Sequence, residues 1–330
     1  MKNILKRAIA LITAFCCVAS LLVFSGCSTP KKQPVMSING VEISNDVFTY
    51  FLDCATVELG VDAPLESLKK KASTLAGTYF KINSLANKHG VTLTTGEKKS
   101  VSEKVDAHWH FFGEYYTEIG ISRETLTKVF TADAYRDALL MFFYGTGGEE
   151  EIPVARLFGE FKTNYIVFQA ITGYFTKTDI NGRPVKIPET EAEALILKFQ
   201  NIAAMVNAGE QTMEEAADFL AETGYKSSVQ TVILNKDDTS YPAGFFEKVK
   251  KIDAKKATVI GTDEYIFLVL RGDAGVKSEY FIEKKTEMIK IIVGDEIDNK
   301  IADSMVVDVV ISDSDVNGYY ALIKDAKTEK

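Results

Sequence analysis

The pattern of apolar and polar positions divides the chain into a helical first part and a mixed second part. Between residues 47 and 143, apolar residues recur every three or four positions, in stretches that end at glycines. This spacing predicts amphipathic helices because it gathers the apolar residues on one helix face. The predicted helices are one that Ser44 caps, with Val47, Phe51, Cys54 and Ala55 on its apolar stripe, and others over residues 65–89, 96–119, 123–143 and 153–161.

The second part has the pattern of strands mixed with helices. Short apolar or β-branched runs lie at residues 164–175, 227–234, 257–260 and 265–270, and Asn181-Gly182 is a hairpin-turn dipeptide. Helical patterns cover residues 189–207, 213–222 and 245–249. These elements predict one compact α+β domain of about 110 residues.

Residues outside these two parts complete the predicted domain organisation. Two short strands are expected around the turn dipeptide Asn39-Gly40, a long helix over 279–304, an apolar run over 305–311 and a last helix after Ser312. The predicted domains are a signal (1–26), a tether (27–34), a mainly helical domain (35–162), an inserted α+β domain (163–275) and C-terminal helices that pack on the helical domain (276–330).

The first 27 residues have the layout of a secretory signal. Lys2, Lys6 and Arg7 precede an apolar run over residues 8–24, and Ser25-Gly26-Cys27 follows. The segment resembles a bacterial lipoprotein signal, in which such a cysteine is lipidated and becomes the mature N-terminus. The alternative is an uncleaved anchor, because the run approaches the roughly 20 residues that span a bilayer. Both interpretations place the rest of the chain outside the cytoplasm.

Charge and cysteine content narrow the function classes. Removing three cationic residues with the signal lowers the formal charge from −8 to about −11. An acidic chain argues against nucleic acid as a partner and against a basic lipid-binding surface. With Cys16 and Cys17 removed and Cys27 lipidated, Cys54 remains alone, so no intramolecular disulfide is expected, and its place on an apolar stripe predicts a buried residue.

The order of these segments resembles that of the PrsA/SurA-like foldase lipoproteins. The residues that carry the resemblance are "SINGVEIS" at 37–44 with Phe48, Phe51 and Leu52, "GISRETL" at 120–126 and "EEIPVARLFGEF" at 150–161. The resemblance implies a lipid-anchored chaperone or foldase on the extracytoplasmic side of the cell membrane. Its partners would be unfolded or newly secreted polypeptides, and a homodimer stays open.

The inserted domain resembles a parvulin-type prolyl isomerase through "NAGEQTMEEAADFLAETG", "YPAGFFEKVKKI" and "EYIFLVL". The family's two usual histidines fall on Gln169 and Tyr265, and its intermediate Asp or Cys and its glycine-rich turn have no counterpart. Phe245 or Phe246 would provide the aromatic wall of a proline pocket. The resemblance therefore implies a scaffold or peptide-binding module without catalysis. The alternative is weak isomerisation, with Gln169 and Tyr265 hydrogen bonding across the pocket.

An aromatic run in the third helix offers a peptide-binding surface. Core packing is predicted for Trp109, Phe112 and Tyr116, whereas Phe111 and Tyr115 are predicted to line a surface that holds unfolded chains. No cofactor is expected.

No metal site is expected either. His108 and His110 lie two positions apart and point to different sides of a helix. A calcium-like start at Asp313 has Lys324 where a loop acid should stand. The remaining alternative, a lipid-anchored solute-binding protein, lacks the two alternating βαβ halves expected around a ligand cleft.

Overall fold

The structure is a computed structural model that describes residues 34–222, 228–272 and 274–328. The predicted signal, the predicted lipidation site at Cys27 and most of the predicted tether lie outside the described residues. The predicted α+β class is confirmed. No helix among the described residues is both long enough and apolar enough to cross a membrane.

The chain forms two compact units. The terminal unit contains residues 34–77, 108–126 and 307–328, and the central unit contains residues 78–107 and 127–306. The limits of these two units differ from the domain limits predicted from the sequence. The predicted domain limits stay a prediction.

The helices are close to those predicted. They are α1 (Asn45–Leu59), α2 (Leu65–His89), α3 (Thr95–Glu118), α4 (Arg123–Tyr144), α5 (Val154–Asn164), α6 (Glu189–Ala208), α7 (Met213–Glu222), α8 (Phe245–Lys250), α9 (Glu279–Asp303) and α10 (Asp313–Thr328). Ser44 precedes α1 as predicted, but its side chain makes no capping hydrogen bond. The side chain of Asn45, the first residue of α1, accepts a hydrogen bond from the Val35 N–H at 2.9 Å. This bond links the start of the helix to the segment that precedes Met36.

The terminal unit joins the two ends of the described chain in one small sheet. Strands β1 (Met36–Ile38) and β2 (Val41–Ile43) form the predicted hairpin, and β9 (Val309–Ile311) pairs with β1 antiparallel. Asn39 and Gly40 both have positive φ, as a tight hairpin turn requires. The Asn39 N–H also donates to the Asp308 carbonyl at 2.8 Å, so the turn itself binds the segment that enters β9.

The central unit contains a four-stranded antiparallel sheet of β3 (Tyr165–Tyr174), β6 (Gln230–Asn235), β7 (Ala257–Gly261) and β8 (Tyr265–Arg271). The strand order is β6-β3-β8-β7. Strands β4 (Thr176–Thr178) and β5 (Pro184–Lys186) form a separate hairpin. Helices α6 and α7 cover one face of the sheet with an apolar cluster, and α8 covers the other face. The two faces therefore have different apolar cores.

A third core in the central unit packs α5 against α9, with Phe161 and Phe281 in edge-to-face contact at 5.6 Å. Helix α9 contains a kink at Val293, whose φ of −130° and ψ of 18° are not helical. Beside the kink, Arg136 on α4 makes two hydrogen bonds with the Asp298 carboxylate, at 2.6 and 2.7 Å. Its guanidinium also donates to the Gly294 carbonyl at 3.4 Å, which partly satisfies a backbone group near the kink.

Candidate functional site

The exposed aromatic residues on the second half of α3 form a shallow groove in the terminal unit. Phe111 is 75% exposed and Phe112 is 50% exposed, which is unusual for side chains of this size. Ala326 and Lys327 of α10 complete a groove of about 1130 Å³. We call the groove-lining residues Trp109, Phe111, Phe112 and Tyr115 the α3 aromatic surface.

The structure corrects two assignments in this aromatic run. Tyr116 is buried as predicted, but Phe112 lies on the surface and not in the core. Trp109, also predicted to pack in the core, is half-buried and lines the groove. The apolar residues of this segment span a wider arc of the helix than the core covers, so the sequence pattern alone left the edge of the buried stripe undetermined.

A glycine allows one aromatic ring to lie flat along α3. A Cβ atom added at Gly113 would come within 3.0 Å of the Trp109 indole nitrogen. The missing side chain therefore leaves room for the Trp109 indole, which also stacks on Tyr116 at 6.5 Å. The packed Trp109 indole therefore forms one wall of the groove.

Tyr115 takes part in a charged network beneath the groove. Its hydroxyl donates to the Asp53 carboxylate at 2.5 Å, and the Lys327 ammonium lies 2.7 Å from the same carboxylate oxygen. Lys327 also donates to the Thr56 hydroxyl at 2.6 Å. The Asp53 side chain is only 10% exposed, so its charge depends on these partners. Tyr115 therefore borders the groove, but its hydroxyl binds Asp53 inside the protein. Its role in binding unfolded chains stays a prediction.

Burial makes three groups around Asp53 difficult to deprotonate. Burial raises the pKa of the Cys54 thiol to about 11. Burial and then the Asp53 charge raise the pKa of Tyr116 to about 12. Burial, followed by the hydrogen bond to Asp53, raises the pKa of Tyr115 above its usual range. Cys54 is half-buried and not fully buried as the sequence predicted. Its raised pKa keeps the thiol protonated at neutral pH, which favours a structural role over that of a nucleophile.

Raising the pH above 9 is expected to destabilise the protein. The folded pKa of each group exceeds its ordinary value, which is 9.0 for the cysteine and 10.0 for the tyrosines. The stabilisation is therefore complete below pH 9 and is lost as the pH rises towards 12. Urea unfolding between pH 7 and pH 11 measures this loss. The double variant Cys54→Ala, Tyr116→Phe should lose less stability over this range than the wild type. The control Tyr174→Phe, which changes an exposed tyrosine, should lose as much stability as the wild type. An equal loss of stability in all three proteins would show that Cys54 and Tyr116 do not cause the pH dependence.

The sheet of the central unit does not bring Gln169 and Tyr265 together. Tyr265 pairs with Tyr174, five residues along β3 from Gln169, a separation of about 17 Å along the strand. Gln169 donates to Glu214 of α7 at 3.4 Å, whereas the Tyr265 ring packs beside Phe267 on the α8 side. The two residues lie on opposite faces of the sheet, so the predicted hydrogen bonding across one pocket is wrong for this structure.

Phe245 and Phe246 are core residues and not the wall of an open pocket. They are 1% and 7% exposed, and both belong to the apolar cluster under α8. The half-buried Tyr241 stacks on Phe245 with ring centroids 4.9 Å apart, and Phe267 approaches Phe245 at 4.7 Å. Because aromatic rings occupy this space, Phe245 and Phe246 cannot contact a bound peptide without a rearrangement.

Within the described part of the chain, no group of His, Cys, Asp and Glu residues could hold a metal ion.

Comparisons with known proteins find matches among solved structures, at low sequence identity. No family model and no curated protein matches the sequence. Among solved structures, foldase protein PrsA from Streptococcus pneumoniae matches with 13% identity and a TM-score of 0.37, covering 89% of this chain and 93% of its own. Foldase protein PrsA from Lactococcus lactis matches with 13% identity and a TM-score of 0.39, covering 88% of this chain and 99% of its own.

Proposed function

We propose that this protein is a chaperone that binds unfolded polypeptides at the α3 aromatic surface. The observation that carries the proposal is the exposure of Phe111 and Phe112 beside a groove built on Trp109 and Tyr115. Adjacent exposed aromatic rings are costly in water and offer apolar area to any partner that covers them. The expected ligands are extended segments that carry aromatic or large aliphatic side chains.

The size of the surface suits binding that is weak and reversible. Complete burial of one large apolar side chain stabilises an association by about 1.5–3 kcal/mol, before the cost of ordering the bound chain. Two phenylalanines therefore supply enough free energy to delay aggregation, but too little to trap a client. A chaperone that must release its clients needs this balance.

We also propose that lipid attachment at Cys27 holds the protein on the extracytoplasmic side of the membrane. The charged start, the apolar run and the Ser25-Gly26-Cys27 sequence support this placement. Membrane fractionation compares the wild type with Cys27→Ser, which should be released or mislocalised. Full membrane retention of this variant with an intact N-terminus would favour an uncleaved anchor.

We further propose that the parvulin-like sheet does not catalyse prolyl isomerisation. The separation of Gln169 from Tyr265 and the burial of Phe245 support this proposal, because neither arrangement favours a twisted amide. The sheet would serve as a scaffold. An exchange assay on proline peptides measures the rate directly, and an enhancement typical of an active parvulin would overturn the proposal.

The chaperone proposal is tested by suppression of aggregation. The double variant Phe111→Ser, Phe112→Ser is expected to require at least about fivefold more protein than the wild type to protect the same client, because it removes two exposed rings. Light scattering of a chemically denatured client after dilution gives this ratio. Because Tyr115 also supports Asp53, it is left unchanged in the variant.

The matched control removes exposed apolar side chains elsewhere. Leu197→Ser with Phe219→Ser changes residues that are 58% and 43% exposed in the central unit. This control should protect the client as well as the wild type does. Equal loss in both variants would show that the α3 aromatic surface is not the binding site, and no protection by the wild type across several clients would end the proposal.

A further inference from the structure

Five lysines lie close together at the end of α8 and in the connection to β7. They occupy nine consecutive positions with only one acid among them, and Glu247 precedes them. Four of the five are exposed, and Lys250 is half-buried, with its ammonium 5.4 Å from the centre of the Phe246 ring. We call these residues the α8 lysine cluster: Lys248, Lys250, Lys251, Lys255 and Lys256.

These five ammonium groups have no carboxylate partners. Across residues 34–222, 228–272 and 274–328, none of them forms an ion pair. Lysines elsewhere do form such pairs, as Lys290 does with Asp137 at 2.6 Å and Lys300 with Glu150 at 2.6 Å. In a chain with a formal charge of −8, a group of unpaired lysines is a local exception.

The backbone holds the cluster in a fixed arrangement. Arg271 at the end of β8 donates to the carbonyls of Lys250 and Ile252, both at 2.8 Å. The Lys255 N–H donates to the Arg271 carbonyl at 2.9 Å. Lys255 has a φ of 66°, a conformation that glycine or asparagine adopts more easily. The chain therefore carries a charge at a position where another residue would be less strained.

We propose that the α8 lysine cluster docks on the anionic headgroups of a phospholipid membrane. Lysine acts as a compact point charge and suits a diffuse array of phosphates, whereas the planar fork of arginine suits bidentate binding of a single phosphate group. At physiological salt the screening length is roughly 8–10 Å, so a membrane interacts with the charges of the nearest face and not with the net charge. The acidic composition therefore does not exclude a basic lipid-binding surface, contrary to the expectation from the sequence.

The acidic remainder of the protein gives this contact a direction. An anionic membrane repels most of the surface and attracts the cluster, so the protein would dock with α8 towards the lipid. The inference does not depend on lipid attachment at Cys27. Where both operate, they are two independent attachments, and firm membrane binding by lipidated proteins commonly needs two.

Vesicle co-sedimentation tests the proposal with the chain that lacks residues 1–27 and keeps every described residue. The wild type is expected to bind vesicles that contain phosphatidylglycerol at low salt, and to be released by added salt or by replacing that lipid with phosphatidylcholine. Lys251→Gln with Lys255→Gln and Lys256→Gln should weaken binding about tenfold or more. Circular dichroism checks that this variant stays folded.

The control removes the same number of charges at scattered places. Lys70→Gln with Lys88→Gln and Lys98→Gln changes three exposed lysines outside the cluster and should bind almost as the wild type does. Equal weakening in both variants, unchanged binding by the cluster variant, or equal binding to phosphatidylcholine would overturn the proposal. So would a cluster variant that keeps vesicle binding but loses affinity for polyglutamate, since the cluster would then serve an acidic polypeptide.

Discussion

Replacement of Phe245 with alanine is expected to lower the free energy of unfolding by about 3–5 kcal/mol, the usual cost of removing a buried phenylalanine side chain. Phe245 is 1% exposed and contacts the rings of Phe168, Tyr241 and Phe267. Removing it leaves a cavity between α8 and the sheet that these rigid rings cannot easily fill. Urea unfolding, followed by circular dichroism, measures the loss.

This measurement separates a core residue from a binding residue. If Phe245 formed the wall of an open proline pocket, its removal would change stability little and would mainly weaken peptide binding. Phe219→Ala is the matched control, because Phe219 is 43% exposed in the same unit and should change stability by less than about 0.5 kcal/mol. Similar small losses for both variants would show that the cluster under α8 is open to solvent.

Replacement of Lys327 with methionine is expected to cost about 3 kcal/mol of unfolding free energy. Methionine keeps most of the apolar stem but leaves the Asp53 carboxylate, only 10% exposed, without its cation. Removing one member of a buried ion pair costs about 3–5 kcal/mol, and the lower end applies because the Lys327 side chain is 23% exposed. Urea unfolding at neutral pH gives the difference.

Two companion variants show whether the cost comes from Asp53. Lys324 lies on the same helix as Lys327 and forms an exposed ion pair with Asp62. Lys324→Met removes this pair and should lower the free energy of unfolding by less than about 1 kcal/mol. Lys327→Met combined with Asp53→Asn should be more stable than Lys327→Met alone, because the unpaired charge is gone. A double variant that is weaker still would mean that Lys327 acts through packing and not through charge.

The helices and strands were largely predictable from the sequence, because each has an apolar period and ends at a turn residue. The limits of α2 and α7 match the prediction residue for residue. The kink in α9 was not predicted. Its apolar residues continue through Val293 with no proline to mark a break, and the Arg136 contact beside it joins residues 158 positions apart.

The candidate site was predictable only in part. The excess of aromatic residues in α3 indicated an exposed surface that includes Phe111. The helical period did not show that Phe112, the next residue, is exposed as well. Asp53 carried a usable signal, since a charged residue within the buried stretch of α1 needs a partner. Its partner Lys327 is 274 positions away and no local pattern connects the two. The filling of the α8 face by Tyr241 likewise depends on tertiary packing.

The pairing of β1 with β9 affects the order in which the chain can fold during synthesis. Met36 pairs with Ile311, so the sheet of the terminal unit lacks its third strand until almost the whole chain has emerged. The central unit has all its strands and helices earlier, by residue 306. Because contacts between distant residues form slowly, the β1–β2 hairpin has no third strand to pair with β1 through most of synthesis. During that interval the first segments of the terminal unit expose apolar residues, as do the unfolded polypeptides that the finished protein is proposed to bind.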